Sequence, residues 1–125
     1  MNLVDSSGWI EYFAKGKNAH LFRPVIQNVD ELIVSTINLY EVFKKIHRES
    51  GETEALQAIA FMEQALVVEV DEAIALTAAK LSTELKIPMA DSLILATARV
   101  FRATLWTQDV DFEGIPNVRY FSKNL

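Results

Sequence analysis

No cysteine occurs among the 125 residues, which excludes disulfides and thiolate zinc sites. Histidine is almost as scarce: His20 and His47 are the whole supply, too few for an imidazole-rich metal centre. Any metal held here must take oxygen ligands, which suits a hard cation such as Mg²⁺ or Mn²⁺. No apolar run nears the roughly 18 residues of a membrane span. The opening MNLVDSSGW lacks the basic stretch and apolar core of a secretory leader. The expectation is a cytoplasmic protein with no membrane contact. Basic charge is short as well, with 12 Lys and Arg against 17 Asp and Glu and a net charge of −5. That argues against a protein that coats nucleic acid, though not against an enzyme that meets nucleic acid through metal ions. There are no repeats and no Gly/Pro/Ser linker, so 1–125 reads as one domain. Half of the residues are hydrophobic, enough for a packed core.

Short apolar segments alternate with helical ones. NLV (2–4), ELIVS (31–35), LVVEV (66–70), TLWT (104–107) and VRYFS (118–122) read as strands. Helices are expected over 6–16, 18–28 (interrupted by Pro24), 36–50, 53–65, 71–86 and, after a break at Pro88, 89–100. In the fourth of these, Leu56, Ile59, Ala60 and Met62 mark the apolar face. In the third, Leu39, Tyr40, Val42, Phe43 and Ile46 do so. The alternation indicates an α/β fold, three layers α/β/α, around a mostly parallel sheet of about four to five strands. Ligands of such sheets gather outside the carboxyl ends of the strands.

Against this apolar background four acids need explaining. Asp5 ends the first strand. A helix N-cap is one role for it, although Ser6 and Ser7 would cap equally well. Glu41 lies on the polar side of its helix with Lys44, Lys45 and Arg48. An exposed i,i+4 pair with Lys45 would account for it, but it sits roughly 8 Å from a helix start at the carboxyl edge of the sheet. Asp91 opens the helix in IPMADSLILATARV (87–100). A first-turn acid complements the helix dipole, but that does not explain an acid in so apolar a wall. Asp109 follows the fourth strand in TLWTQDVDF. It and Asp111 are ordinary turn formers, and in extended chain Thr107, Asp109 and Asp111 would face one side. The topology brings four separate segments to one edge. Clustered carboxylates repel unless a cation intervenes, so a divalent metal site is expected.

LVDSSGWIEYF, STINLYEV, MADSLILATA and WTQDVDF, in that order, resemble the four motifs of the PIN-domain ribonucleases, and more narrowly of VapC-type toxins of toxin–antitoxin pairs. The resemblance spans essentially the whole chain. It implies an endoribonuclease using one or two Mg²⁺ or Mn²⁺ ions, with Asp5, Glu41, Asp91 and Asp109 as the acidic site and Asp5, Asp91 and Asp109 on the metal. It also implies Ser6 and Thr107 as supporting hydroxyls, Asp111 as an accessory acid, an RNA substrate cut to 5′-phosphate and 3′-hydroxyl ends, a cognate antitoxin and a homodimer. Lys44, Lys45 and Arg48 read either as guides for the RNA backbone or as an ordinary solvated helix face. Two rivals share the outline. A phosphate-accepting receiver domain needs paired acids after the first strand, where serines follow Asp5 here. A non-catalytic PIN-like interaction module would lack acids, and none is missing.

Overall fold

The computed structural model describes residues 1–123. Five short strands among these residues form one sheet: β1 (Asn2–Val4), β2 (Leu32–Ser35), β3 (Leu66–Val68), β4 (Thr104–Thr107) and β5 (Val118–Tyr120). They run in the order β3-β2-β1-β4-β5, every neighbouring pair parallel. Among the same residues, α-helices connect them: α1 (Ser6–Phe13), α2 (Ala19–Gln27), α3 (Thr36–Ser50), α4 (Glu52–Met62), α5 (Glu72–Leu85) and α6 (Met89–Val100).

Successive strand residues point to opposite faces, and both faces here are covered. Leu3, Ile33 and Leu105 meet Ile74 and Leu81 of α5 and Ile94 and Leu95 of α6 on one side. Val4, Leu32 and Val34 meet Trp9, Phe22, Val42 and Met62, from α1 to α4, on the other. Burial on both faces explains why the central strands β1 and β2 read as mostly apolar runs. The result is the three-layer α/β/α architecture expected from the sequence. Strand order 3-2-1-4-5 also separates it from the receiver-type order 2-1-3-4-5.

The chain steps outward from β1 to β3, then returns through α5 and α6 to place β4 on the free side of β1. The order therefore reverses between β1 and β4, and a crevice opens beyond their carboxyl ends. The hydrogen bond from Asp5 N to Trp106 O (2.8 Å) carries the β1–β4 ladder to the rim of that crevice.

Four local expectations are corrected. Helix α2 runs through Pro24 without a break, with the proline on its exposed side. The buried side of α4 is Ala55, Ala58 and Met62, while Leu56 is 53 % exposed and Ala60 is exposed too. Likewise Tyr40 on α3 is 63 % exposed. Small residues let α4 lie close to its neighbours, and closeness decided the buried face more than hydropathy did. Finally, the chain after β4 is not extended. Val110–Phe112 forms a 3-10 turn that drives Phe112 into the α5/α6 core.

Candidate metal centre

Asp5 is itself the N-cap of α1, with extended backbone angles and its carboxylate accepting from Ser7 N at 3.4 Å. Of the capping candidates the structure takes Asp5, and the Ser6 and Ser7 hydroxyls serve the acids. Ser7 Oγ donates to Asp5 Oδ2 at 2.7 Å and Thr107 Oγ1 donates to the same oxygen at 2.9 Å. These bonds converge on Oδ2, and Oδ1 takes none of them. Asp109 N donates to Thr107 Oγ1 (2.9 Å) and Gln108 N to Ser7 Oγ (3.2 Å), so the loop after β4 is tied to the start of α1. Burial raises the Asp5 carboxyl above its usual range against the pull of the two hydroxyls, and the nearby Asp109 charge adds to the rise.

Glu41 is held from the other side of the crevice. Ser6 Oγ donates to Glu41 Oε1 at 2.7 Å and accepts from Asn38 Nδ2 at 3.0 Å. Asn38 is anchored in turn, its Oδ1 accepting from Ser35 N at 3.0 Å in the capping box that starts α3. The simple pairing of Glu41 with Lys45 does not occur, since Lys45 Nζ pairs with Glu49 at 2.6 Å. Partial burial raises the Glu41 carboxyl, and the charges of Asp5 and Asp109 push the same way.

Asp91 sits in the first turn of α6, where Pro88 is the N-cap and offers no side-chain bond. Asp109 caps the 3-10 turn and accepts from Asp111 N at 3.0 Å. One carboxylate oxygen from each of Asp91, Asp109 and Asp111 lies within 4.8 Å of the other two. Asp91 is pushed up to about 8, first by desolvation and then by the charge of Asp109, a hydrogen bond with Asp111 and the charge of Asp5. An acid this disfavoured in the charged form is what a cation would relieve. The donors are all carboxylates, which fits Mg²⁺ or Mn²⁺ rather than zinc.

Asp5, Ser6, Glu41, Asp91 and Asp109 line one cleft of about 640 Å³, and Lys44, Lys45 and Arg48 line it too. A family model for the PIN domain matches residues 3–118. The chain belongs to the PIN domain family. No curated protein matches it. Among solved structures this PIN domain is similar to a toxin–antitoxin complex from Klebsiella pneumoniae, with a TM-score of 0.81 at 25 % identity over 98 % of this chain and 99 % of that one. It is similar in fold to VapBC2 from Rickettsia felis bound to a promoter DNA fragment (TM-score 0.74, 19 % identity, 97 % of each chain). It also shares the fold of VapC20 from Mycobacterium tuberculosis, a sarcin-ricin loop cleaving toxin (TM-score 0.71, 17 % identity, 90 % of this chain and 92 % of that one). The resemblance to VapC-type PIN toxins that the four motifs carry is borne out.

All four acids singled out in the sequence come to this cleft of the PIN domain. Among the described residues Asp91, Asp109 and Asp111 bring carboxylate oxygens within 4.8 Å of one another, and Asp5, Asp91 and Asp109 of the motif reading line one cleft. Sequence reasoning missed Ser7 and Asn38. Asn38 carried a signal, as the N3 residue of a Ser35 capping box three positions before Glu41. Ser7 carried none, since an adjacent Ser–Ser pair does not say which hydroxyl turns to which acid. Glu11 makes a local contact, Oε2 accepting from Asn18 N at 2.8 Å.

Proposed function

We propose that this PIN domain is a divalent-metal-dependent endoribonuclease acting as the toxin of a toxin–antitoxin pair. The observation that carries the reading is the convergence of Asp91, Asp109 and Asp111 at the strand-order reversal, with Asp5 and Glu41 in the same cleft. Asp91, Asp109 and Asp111 would hold the ion, with Asp5 adjoining. When bound, the metal supplies a water of lowered pKa and stabilises charge on the phosphate oxygens.

The chain's own residues do the rest. Ser7 and Thr107 lock Asp5 by its Oδ2, so its Oδ1 would be the oxygen left for the ion. Ser6 holds Glu41 by Oε1, and Glu41 lines the cleft. A carboxyl with a raised pKa is suited to take a proton from an attacking water and pass it on. Lys44 and Arg48 stand at the cleft wall as partners for the RNA backbone. In-line attack by water leaves 5′-phosphate and 3′-hydroxyl ends.

The toxin role, a cognate antitoxin, a homodimer and a cytoplasmic site of action are part of this reading. The Klebsiella pneumoniae and Rickettsia felis relatives support the antitoxin. No helix among the described residues is long and apolar enough to cross a membrane. The test is incubation of the purified chain with RNA in Mg²⁺, Mn²⁺ or EDTA, with end analysis of the fragments. Cleavage confined to the metal-containing reactions is expected. Intact RNA under all three conditions, with no calorimetric binding of Mn²⁺, would overturn the reading.

A further inference from the structure

We infer that a second cavity opening off the carboxylate cleft takes an unpaired nucleobase of the RNA strand, with Tyr40 as its stacking surface. This rests on the nuclease reading above and deepens it. The cavity, about 600 Å³, is lined by Leu39, Tyr40, Phe43, Lys44, His47, Arg48 and Ile59. It shares Tyr40, Lys44 and Arg48 with the cleft, and Tyr40 immediately precedes Glu41. A strand whose phosphate lies at the carboxylates therefore has this mouth beside it along the shared wall.

The lining matches a base and its phosphates. Tyr40 is 63 % exposed beside the polar cleft. The Lys44 ammonium lies over its ring, 5.7 Å from the centre. The rings of Phe43 and His47 stack at 5.5 Å and 14°, so aromatic rings stand beside the branched Leu39 and Ile59 in the wall. Bases stack on such surfaces whatever their sequence, while cations track the backbone. Lys45 is engaged by Glu49. Among the described residues Lys44 and Arg48 make no ion pair. On a chain of net charge −5, two such cations at the lip between carboxylates and an aromatic hollow are complementary to a polyanion with flat apolar bases. An apolar protein segment would leave both cations unanswered. A duplex keeps its bases stacked on one another and cannot fill the hollow.

The test uses the full chain in an Asp91→Asn background, which slows cutting, and a short single-stranded RNA carrying one 2-aminopurine. Binding is followed by anisotropy, stacking by quenching of the 2-aminopurine. Tyr40→Ala is expected to weaken binding about tenfold or more and to abolish quenching, with Tyr40→Phe retaining both. The same sequence as a duplex is expected to bind weakly and without quenching. Binding by Tyr40→Ala within twofold of its parent would overturn the inference. So would a duplex that binds and quenches equally well. A Tyr40→Ala chain that sediments as monomer where the parent is a dimer, with RNA binding per chain unchanged, would assign the hollow to a second copy instead. If the unsubstituted chain cuts no RNA, the nuclease reading fails; if it cuts and Tyr40→Ala cuts with unchanged KM, only the stacking inference fails.

Discussion

Asp91 is the residue on which most turns. Its folded-state carboxyl is pushed to about 8 from an ordinary value of 3.8, so the folded chain holds this proton more tightly than the unfolded one. Below about pH 4 both states are protonated and the contribution to stability is fully present. As pH rises, the unfolded chain sheds its proton first, and the contribution is lost by about pH 8. Metal-free protein is therefore expected to melt lower at pH 8 than at pH 5.5. Asp91→Asn keeps the shape and removes the charge, so its melting should depend less on pH and match or exceed the parent at pH 8. The same substitution should weaken Mg²⁺ binding and RNA cleavage together by about 10- to 100-fold or more. Were Asp91 only a partner for the helix dipole, its loss would cost about 0.3–1 kcal/mol and leave activity intact. Paired melts and cleavage assays separate the two, and an Asp91→Asn chain that melts lower yet cleaves normally would return this acid to a structural role.

At the scale of elements, the start of α1 matters most, because Asp5, Ser6 and Ser7 all depend on where it sits. Gly8 makes that position possible. A Cβ there would lie 2.7 Å from Phe22 Cε1 and 2.7 Å from Val4 Cγ1, so α1 could not pack as it does against α2 and β1. In an exposed helix, Gly→Ala would stabilise by about 1 kcal/mol. Here overpacking costs typically about 1–3 kcal/mol, and Gly8→Ala is expected to destabilise on balance. Urea unfolding reads that sign directly; a more stable Gly8→Ala chain would mean that α1 shifts freely. Any shift also displaces Ser6 from Glu41, so cleavage should fall even where the fold survives. Helix α4 shows the opposite lesson. Its apolar residues run round the helix, so hydropathy pointed at Leu56 while packing chose Ala55, Ala58 and Met62.

The whole molecule assembles the site from segments far apart in the chain. Asp91, Asp109 and Asp111 converge only when β4 and α6 are in place, and Asp5 joins them only through the β1–β4 pairing. An unfolded chain has no such site, so an ion that binds it stabilises the fold by mass action. At a hundred times its dissociation constant the gain is about 2.7 kcal/mol. Mg²⁺ or Mn²⁺ is expected to raise the melting temperature in a concentration-dependent way, and Asp91→Asn to flatten that response. A parent protein whose melting temperature ignores both ions across the millimolar range would contradict a folded-state metal site.

Much of this was legible in the sequence by itself. Strand segments buried on both faces must be apolar throughout, so the short runs at 2–4, 32–35 and 104–107 announced a parallel sheet. Acids at the carboxyl ends of such runs stood out because the surrounding residues were apolar, and the ordered motifs carried the family. Other features were decided by the tertiary structure. Which hydroxyl serves which acid depends on the angle at which α1 leaves the sheet, and no spacing encodes it. The turn at Val110–Phe112 depends on a hollow between α5 and α6 that exists only once both have packed, and that turn brings Asp111 beside Asp91. Local sequence sets which residues are apolar and which carry charge. The distances between charges far apart in the chain are set by packing, and those distances decide whether four scattered acids make a site.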